Sequence, residues 1–220
     1  MGIPLRDISR RPTHRPVITV SIIGINVLVF FLELARGDAF IEQWSVIPAH
    51  IVAGQGWITI LTAMFMHAGW MHIIGNMLFF WAFGPAIEDA MGPIRYLAFY
   101  LLGGVVASLA QIAALSSSTV PNLGASGAIA AVMGAFLITY PRDKIRTLLI
   151  LGWFIDVAAI PAALLIGLWF LIQLFSQVGS VMSTESGGVA YMAHVGGFIF
   201  GAITARFFED SRRIAAQTVD

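Results

Sequence analysis

The chain of 220 residues has no cysteine, so disulfides and thiolate metal sites are excluded. It is also poor in charge. Only 11% of its residues are Asp, Glu, Lys or Arg, against about 25% in a soluble domain. The twelve basic and twelve acidic side chains cancel, so the surplus of positive charge expected of a nucleic-acid binder is missing. No internal repeat divides the chain into similar halves, which leaves a repeat-built transporter without support. No small-residue cleavage site follows the first apolar run. That run therefore reads as a retained membrane span and not as a signal peptide.

What the sequence has in quantity is apolar surface. Hydrophobic residues make up 58% of it and the mean hydropathy is +0.86. Few soluble folds could hide so much, so the chain reads as an integral membrane protein whose first partner is the lipid bilayer.

Residues 1–16 are polar and basic, and Pro12 and Pro16 keep them from forming a regular helix. The first span is expected over residues 17–35. A long connection with Trp44 and Trp57 follows, of a composition that suits the membrane interface. The second span is expected over 70–87, with Glu88, Asp89, Gly92 and Pro93 as a tight turn, and the third over 95–115. A polar loop then leads to a fourth span over 126–140.

The next apolar stretch, 147–178, would be about 48 Å long as one helix, too long for a hydrocarbon core of about 30 Å. Asp156 and Pro161 divide it. Residues 147–159 read as an interfacial or protein-packed connection and 160–178 as the fifth span. After a loop of small polar residues the sixth span covers 189–208, and a charged tail follows. The expected fold is an all-α membrane protein, a bundle of six transmembrane helices with a short central helix carrying a serine. It divides into a segment 1–16, a membrane domain 17–208 and a tail 209–220.

Charge tests this topology. With six spans, eleven of the twelve Lys and Arg residues fall on the side of the termini, and only Arg36 on the other. The excess of positive charge on cytoplasmic loops therefore places both termini in the cytoplasm. Any odd number of spans scrambles the separation.

The chemistry centres on Gly124-Ala125-Ser126-Gly127. A hydroxyl between glycines at the mouth of a membrane helix serves either close helix packing or nucleophilic attack, with Gly127 leaving room for a substrate backbone. Spans two, four and six run in the same direction. His72 and Asn76, Ser126, and His194 therefore lie at similar depth, a little below the outer surface. His194 either bonds a neighbouring helix or acts as general base to Ser126. His72 and Asn76, at i and i+4, share a helix face. They either bond between helices or aim two donors at a developing oxyanion, worth roughly 3 kcal/mol each. His67 precedes the span and reads as interfacial.

A fourth helix of about 22 Å is shorter than the core. Its outer end is thus expected to be recessed, with water satisfying its free N–H groups. No triad acid is in place. Asp156 falls on the cytoplasmic side and Glu185 in a loop, which favours a serine–histidine dyad with the imidazole oriented by packing, Tyr191 at i−3 contributing. Gly197 and Gly201 form a small-residue stripe that would bring span six onto span four.

Three motifs occur in order on spans two, four and six: His67-Ala68-Gly69-Trp70-Met71-His72-Ile73-Ile74-Gly75-Asn76, Gly124-Ala125-Ser126-Gly127, and Ala193-His194-Val195-Gly196-Gly197. Together they resemble the rhomboid family of intramembrane serine proteases, in its six-span bacterial or archaeal form. The resemblance implies Ser126 as nucleophile and His194 as base. It implies His72, Asn76 and the Ser126 backbone N–H as oxyanion hole, and single-span membrane proteins as substrates. It also implies an outward-opening site in the inner cell membrane, no metal or cofactor, and control of substrate access by span five and its outer loop. Four residues after the serine, where some members carry an aromatic that stacks on the histidine, this chain has Ala130. The alternative is a non-catalytic rhomboid-like protein that binds membrane clients; such proteins lack the serine or the histidine.

Overall fold

The computed structural model describes residues 2–10, 12–182 and 190–217. Glu185 and Arg11 lie outside the described residues.

Six long helices carry the architecture: α1 (Val17–Arg36), α5 (Trp70–Met91), α6 (Pro93–Ala114), α7 (Ser126–Thr139), α8 (Ala162–Met182) and α9 (Tyr191–Phe208). Between α1 and α5 the chain folds into three short helices, α2 (Asp38–Trp44), α3 (Pro48–Val52) and α4 (Thr59–Thr62), then a 3₁₀ turn. A final helix, α10 (Ser211–Ala216), closes the described chain. Among the described residues three helices, α1, α5 and α6, are long and apolar enough to cross a bilayer, and α7 and α8 contribute shorter apolar stretches. Exposed Leu, Ile and Phe side chains on α1 and α8 face outward, as lipid-facing surfaces do.

Helix α7 is the axis of the bundle. Every residue from Gly127 to Phe136 is buried. Glycines allow α9 to meet it backbone to backbone. A methyl group at Gly201 would lie 1.9 Å from the Ala131 carbonyl oxygen, and one at Gly197 would lie 2.1 Å from that of Gly127. From the α7 side, one at Gly134 would lie 2.2 Å from the Phe198 carbonyl oxygen. Gly127 itself lies against Ala107 of α6.

Two expectations are corrected. The fold is mostly helical, not all-helical. Strands β1 (Gly2–Asp7), β2 (Lys144–Leu151) and β3 (Phe154–Pro161) form an antiparallel sheet in that order. The stretch 147–159, expected as an interfacial or protein-packed connection without a sheet, is thus most of a hairpin. Its reason is local. Lys144, Ile145, Arg146 and Thr147 alternate exposed and buried, the period of a strand. Gly152, at φ +63, and Trp153 make the two-residue turn, with glycine at the first central position as a type II′ hairpin requires.

The second correction concerns Glu88 and Asp89. They do not form a turn. Helix α5 continues to Met91, and Gly92 at φ +78 makes the break before Pro93 opens α6. Both carboxylates are buried and serve as acceptors. Glu88 takes the N–H groups of Ile18 and Thr19 at 2.8 Å each and the Thr19 hydroxyl at 2.7 Å. It thereby satisfies the free donors at the start of α1, where an anion is favoured. Asp89 accepts the Thr13 N–H at 2.7 Å. Arg10 reaches Asp143 at 2.5 Å and lies over the Tyr140 ring. The basic N-terminal stretch is in this way tied to the ends of α5 and α7.

Candidate active site

Helices α5, α7 and α9 bring their N-terminal ends together, and the side chains of Ser126, His194 and His72 meet there, with Asn76 one turn further along α5. Ser126 is the first residue of α7, so its N–H has no acceptor within the helix. His194 lies in the second turn of α9 and is buried. Its Nε2 stands 2.7 Å from the Ser126 Oγ. The residues that hold this distance are the α7–α9 glycines, since any side chain at Gly197 or Gly201 would drive the two backbones apart.

His72 is in the first turn of α5. The Ala68 N–H donates to its Nδ1 at 3.3 Å, which leaves Nε2 as the protonated nitrogen of the neutral ring. That edge of the ring lies over Gly124. A methyl group there would be 3.0 Å from His72 Nε2 and 3.4 Å from the Ser126 Oγ. Gly124 holds φ +138, a conformation that side chains disfavour. Glycine is thus required twice, by its backbone angle and by the ring above it. Asn76, one turn on from His72, is buried, and its Nδ2 donor is without a partner among the described residues.

A cavity of about 40 Å³ adjoins Ser126, with Ser108, Gln111, Asn122 and Gly124 among its lining residues. At about 10–15 Å³ for each water centre, that is room for about three or four waters with polar partners. Helix α7, with 14 residues, is about 21 Å long.

Several residues stand elsewhere than the sequence placed them. His67, expected at the interface, is buried, with its ring centroid 5.1 Å from that of His72. Its N–H donates to both carboxylate oxygens of Glu33 at 3.1 Å each. Tyr191 opens α9, but the ring found against the imidazole is that of Trp169, with centroids 5.7 Å apart. The second nitrogen of His194, Nδ1, lies 2.7 Å from Oε1 of Gln173. Sequence reasoning missed Trp169 and Gln173, both on α8. A glutamine within an apolar span was the available signal, since polar side chains there usually face a functional interior.

A multi-pass helical membrane protein with a serine–histidine pair at one end of its bundle is what fold and site define. Residues 54–210 match the family model of the Rhomboid domain, and the chain belongs to the rhomboid family. It is 28% identical over 199 residues to "Rhomboid protein 1, mitochondrial" of Saccharomyces cerevisiae, covering 87% of this chain and 53% of that one. It is 34% identical over 127 residues to "Rhomboid protease GluP" of Bacillus subtilis, covering 56% of this chain and 24% of that one. To "Rhomboid-like protein 11, chloroplastic" of Arabidopsis thaliana it is 28% identical over 209 residues, covering 89% and 66%. The chain thus spans between a quarter and two thirds of the length of these curated relatives.

Proposed function

We propose that this chain is an intramembrane serine endopeptidase that cleaves single-span membrane proteins in or near the outer part of their transmembrane segment. The observation that carries the reading is the 2.7 Å approach of His194 Nε2 to the Ser126 Oγ. The name of the Bacillus relative, a rhomboid protease, supports the same chemistry.

In this reading six helices cross the inner cell membrane, both termini are cytoplasmic, and the site opens outward. Ser126 Oγ attacks the scissile carbonyl carbon while its proton passes to His194 Nε2. The carbonyl electron pair moves to oxygen, where His72 Nε2–H, Asn76 Nδ2–H and the Ser126 N–H donate to it. The C–N bond then breaks as His194 returns the proton to the leaving amine. Water from the cavity beside Ser126 hydrolyses the ester, again with His194 as base.

A fluorophosphonate probe on purified protein, together with a panel of single-span helices, tests the proposal. Wild type is expected to take the label and to cleave, and Ser126→Ala to do neither. A wild-type chain that binds the helices but neither labels nor cleaves them would leave the client-binding alternative in its place.

A further inference from the structure

The His194 imidazole is a base at Nε2 only when its own proton sits on Nδ1. Something must hold that tautomer. The hydrogen-bond partners of the ring among the described residues are Ser126 at Nε2 and Gln173 at Nδ1, each at 2.7 Å. An amide oxygen accepts and cannot donate. Facing Nδ1, it keeps the proton there and leaves the Nε2 lone pair aimed at the serine. Trp169, four residues earlier on the same face of α8, sets its ring against the imidazole.

We infer that Gln173 is the positioning residue of the base, a neutral amide where a triad would carry a carboxylate. The inference rests on the protease reading of Ser126 and His194. An uncharged acceptor suits the place, because an ionised carboxylate among apolar helices is costly. Two consequences follow. The imidazolium formed during attack keeps its Nδ1–H on the amide oxygen, so the ring does not turn while it carries the serine proton. And the dyad, which belongs to α7 and α9, takes its alignment from α8. Phe170 stacks on Phe198 with centroids 4.3 Å apart and seats α8 on α9. The base is therefore aligned only while α8 is seated.

The test is the rate of fluorophosphonate labelling, in which Oγ bonds to phosphorus, fluoride leaves and the serine proton passes to His194. No substrate helix has to be admitted, so alignment of the base is read alone. Gln173→Leu, assayed well below its melting transition, is expected to label at least about tenfold more slowly than wild type. Gln173→Glu, in its ionised form, accepts at Nδ1 and adds a negative charge. It is expected to recover most of the rate and to move the acid limb of the pH profile towards higher pH. Labelling of Gln173→Leu at the wild-type rate would overturn the assignment. So would an acid limb of Gln173→Glu that coincides with that of wild type, which decides the matter if the leucine variant does not fold. A wild-type chain that takes no label at all overturns the protease reading first. A labelled wild type with indifferent Gln173 variants overturns this assignment alone.

Discussion

Asn76 is buried, with its Nδ2 donor unpartnered among the described residues, and a buried polar group left unpaired is costly. An oxyanion formed at Ser126 would give that donor its partner. Asn76→Ala removes a donor that the folded chain does not use. It is therefore expected to leave the melting temperature unchanged and to lower kcat/KM on a single-span substrate by about a hundredfold, short of the complete loss in Ser126→Ala. Unchanged kinetics would take Asn76 out of the oxyanion hole. At this scale the sequence was legible where a motif marks the residue. Ser126, His194 and His72 come together at the ends of three helices, with Asn76 one turn beyond His72; span count and charge had given the four an expected common depth and no more. Gln173 and Trp169 were not legible. Which face of α8 turns inward depends on its rotation about its own axis, and Phe170 on Phe198 sets that rotation across a gap in sequence that no periodicity reports.

Among the elements, the contact of α7 with α9 is the one the chemistry depends on. Gly201→Ala would place a methyl group 1.9 Å from the Ala131 carbonyl oxygen. Backbone cannot yield as a side chain can, so α9 has to move and His194 moves with it. The variant is expected to lose roughly 1–3 kcal/mol of stability and most of its probe labelling, measured by thermal unfolding in detergent and by labelling rate. Gly167→Ala on α8, where nothing lies within 4 Å, is the control. It should label normally and unfold no more easily than wild type. The small-residue stripe of span six was readable because membrane helices approach closely only through such residues.

The sheet was not readable, because its clear alternation lasts four residues and strand β1 lies more than a hundred residues from β2 in sequence. It also carries a pH dependence. Asp7 Oδ2 is buried without a partner among the described residues. Burial, with Asp143 nearby, pushes the carboxyl up from its ordinary 3.8 to about 6. Folding therefore favours the protonated form. That contribution is complete below pH 3.8 and is lost as pH rises through about 6. Asp7→Asn keeps an oxygen for the Ser9 N–H, which donates to Oδ1 at 2.8 Å. It should melt higher than wild type at about pH 7.5, with the difference fading by about pH 4. An equal gain at both pH values would exclude Asp7 as the titrating group.

For the molecule as a whole, the open question is whether α7 crosses the bilayer. At 14 residues it is about 21 Å long, against roughly 30 Å of hydrocarbon. Length alone argues against a span. Two features argue for one. Ten of its residues, from Gly127 to Phe136, are buried in protein, so it need not meet lipid along its whole length, and its N-terminal end opens on a cavity whose mostly apolar wall carries Ser108, Gln111 and Asn122. Charge agrees, since Arg142, Lys144 and Arg146 follow it at once while the loop before it carries none. The absence of cysteine makes the matter directly measurable, because every introduced thiol is the only one present. Gln55→Cys lies between α3 and α4, and Trp153→Cys at the hairpin tip, where the native side chain is 99% exposed. Helices α5, α6 and α7 separate them. If all three cross, a membrane-impermeant maleimide added to intact cells should label the thiol at 55 and spare the one at 153, and inside-out vesicles should show the reverse. If α7 only dips into the membrane and returns, both thiols label from the same side. The serine would then lie on a re-entrant helix, and the common depth of Ser126, His72 and His194 would need another cause than three parallel crossings.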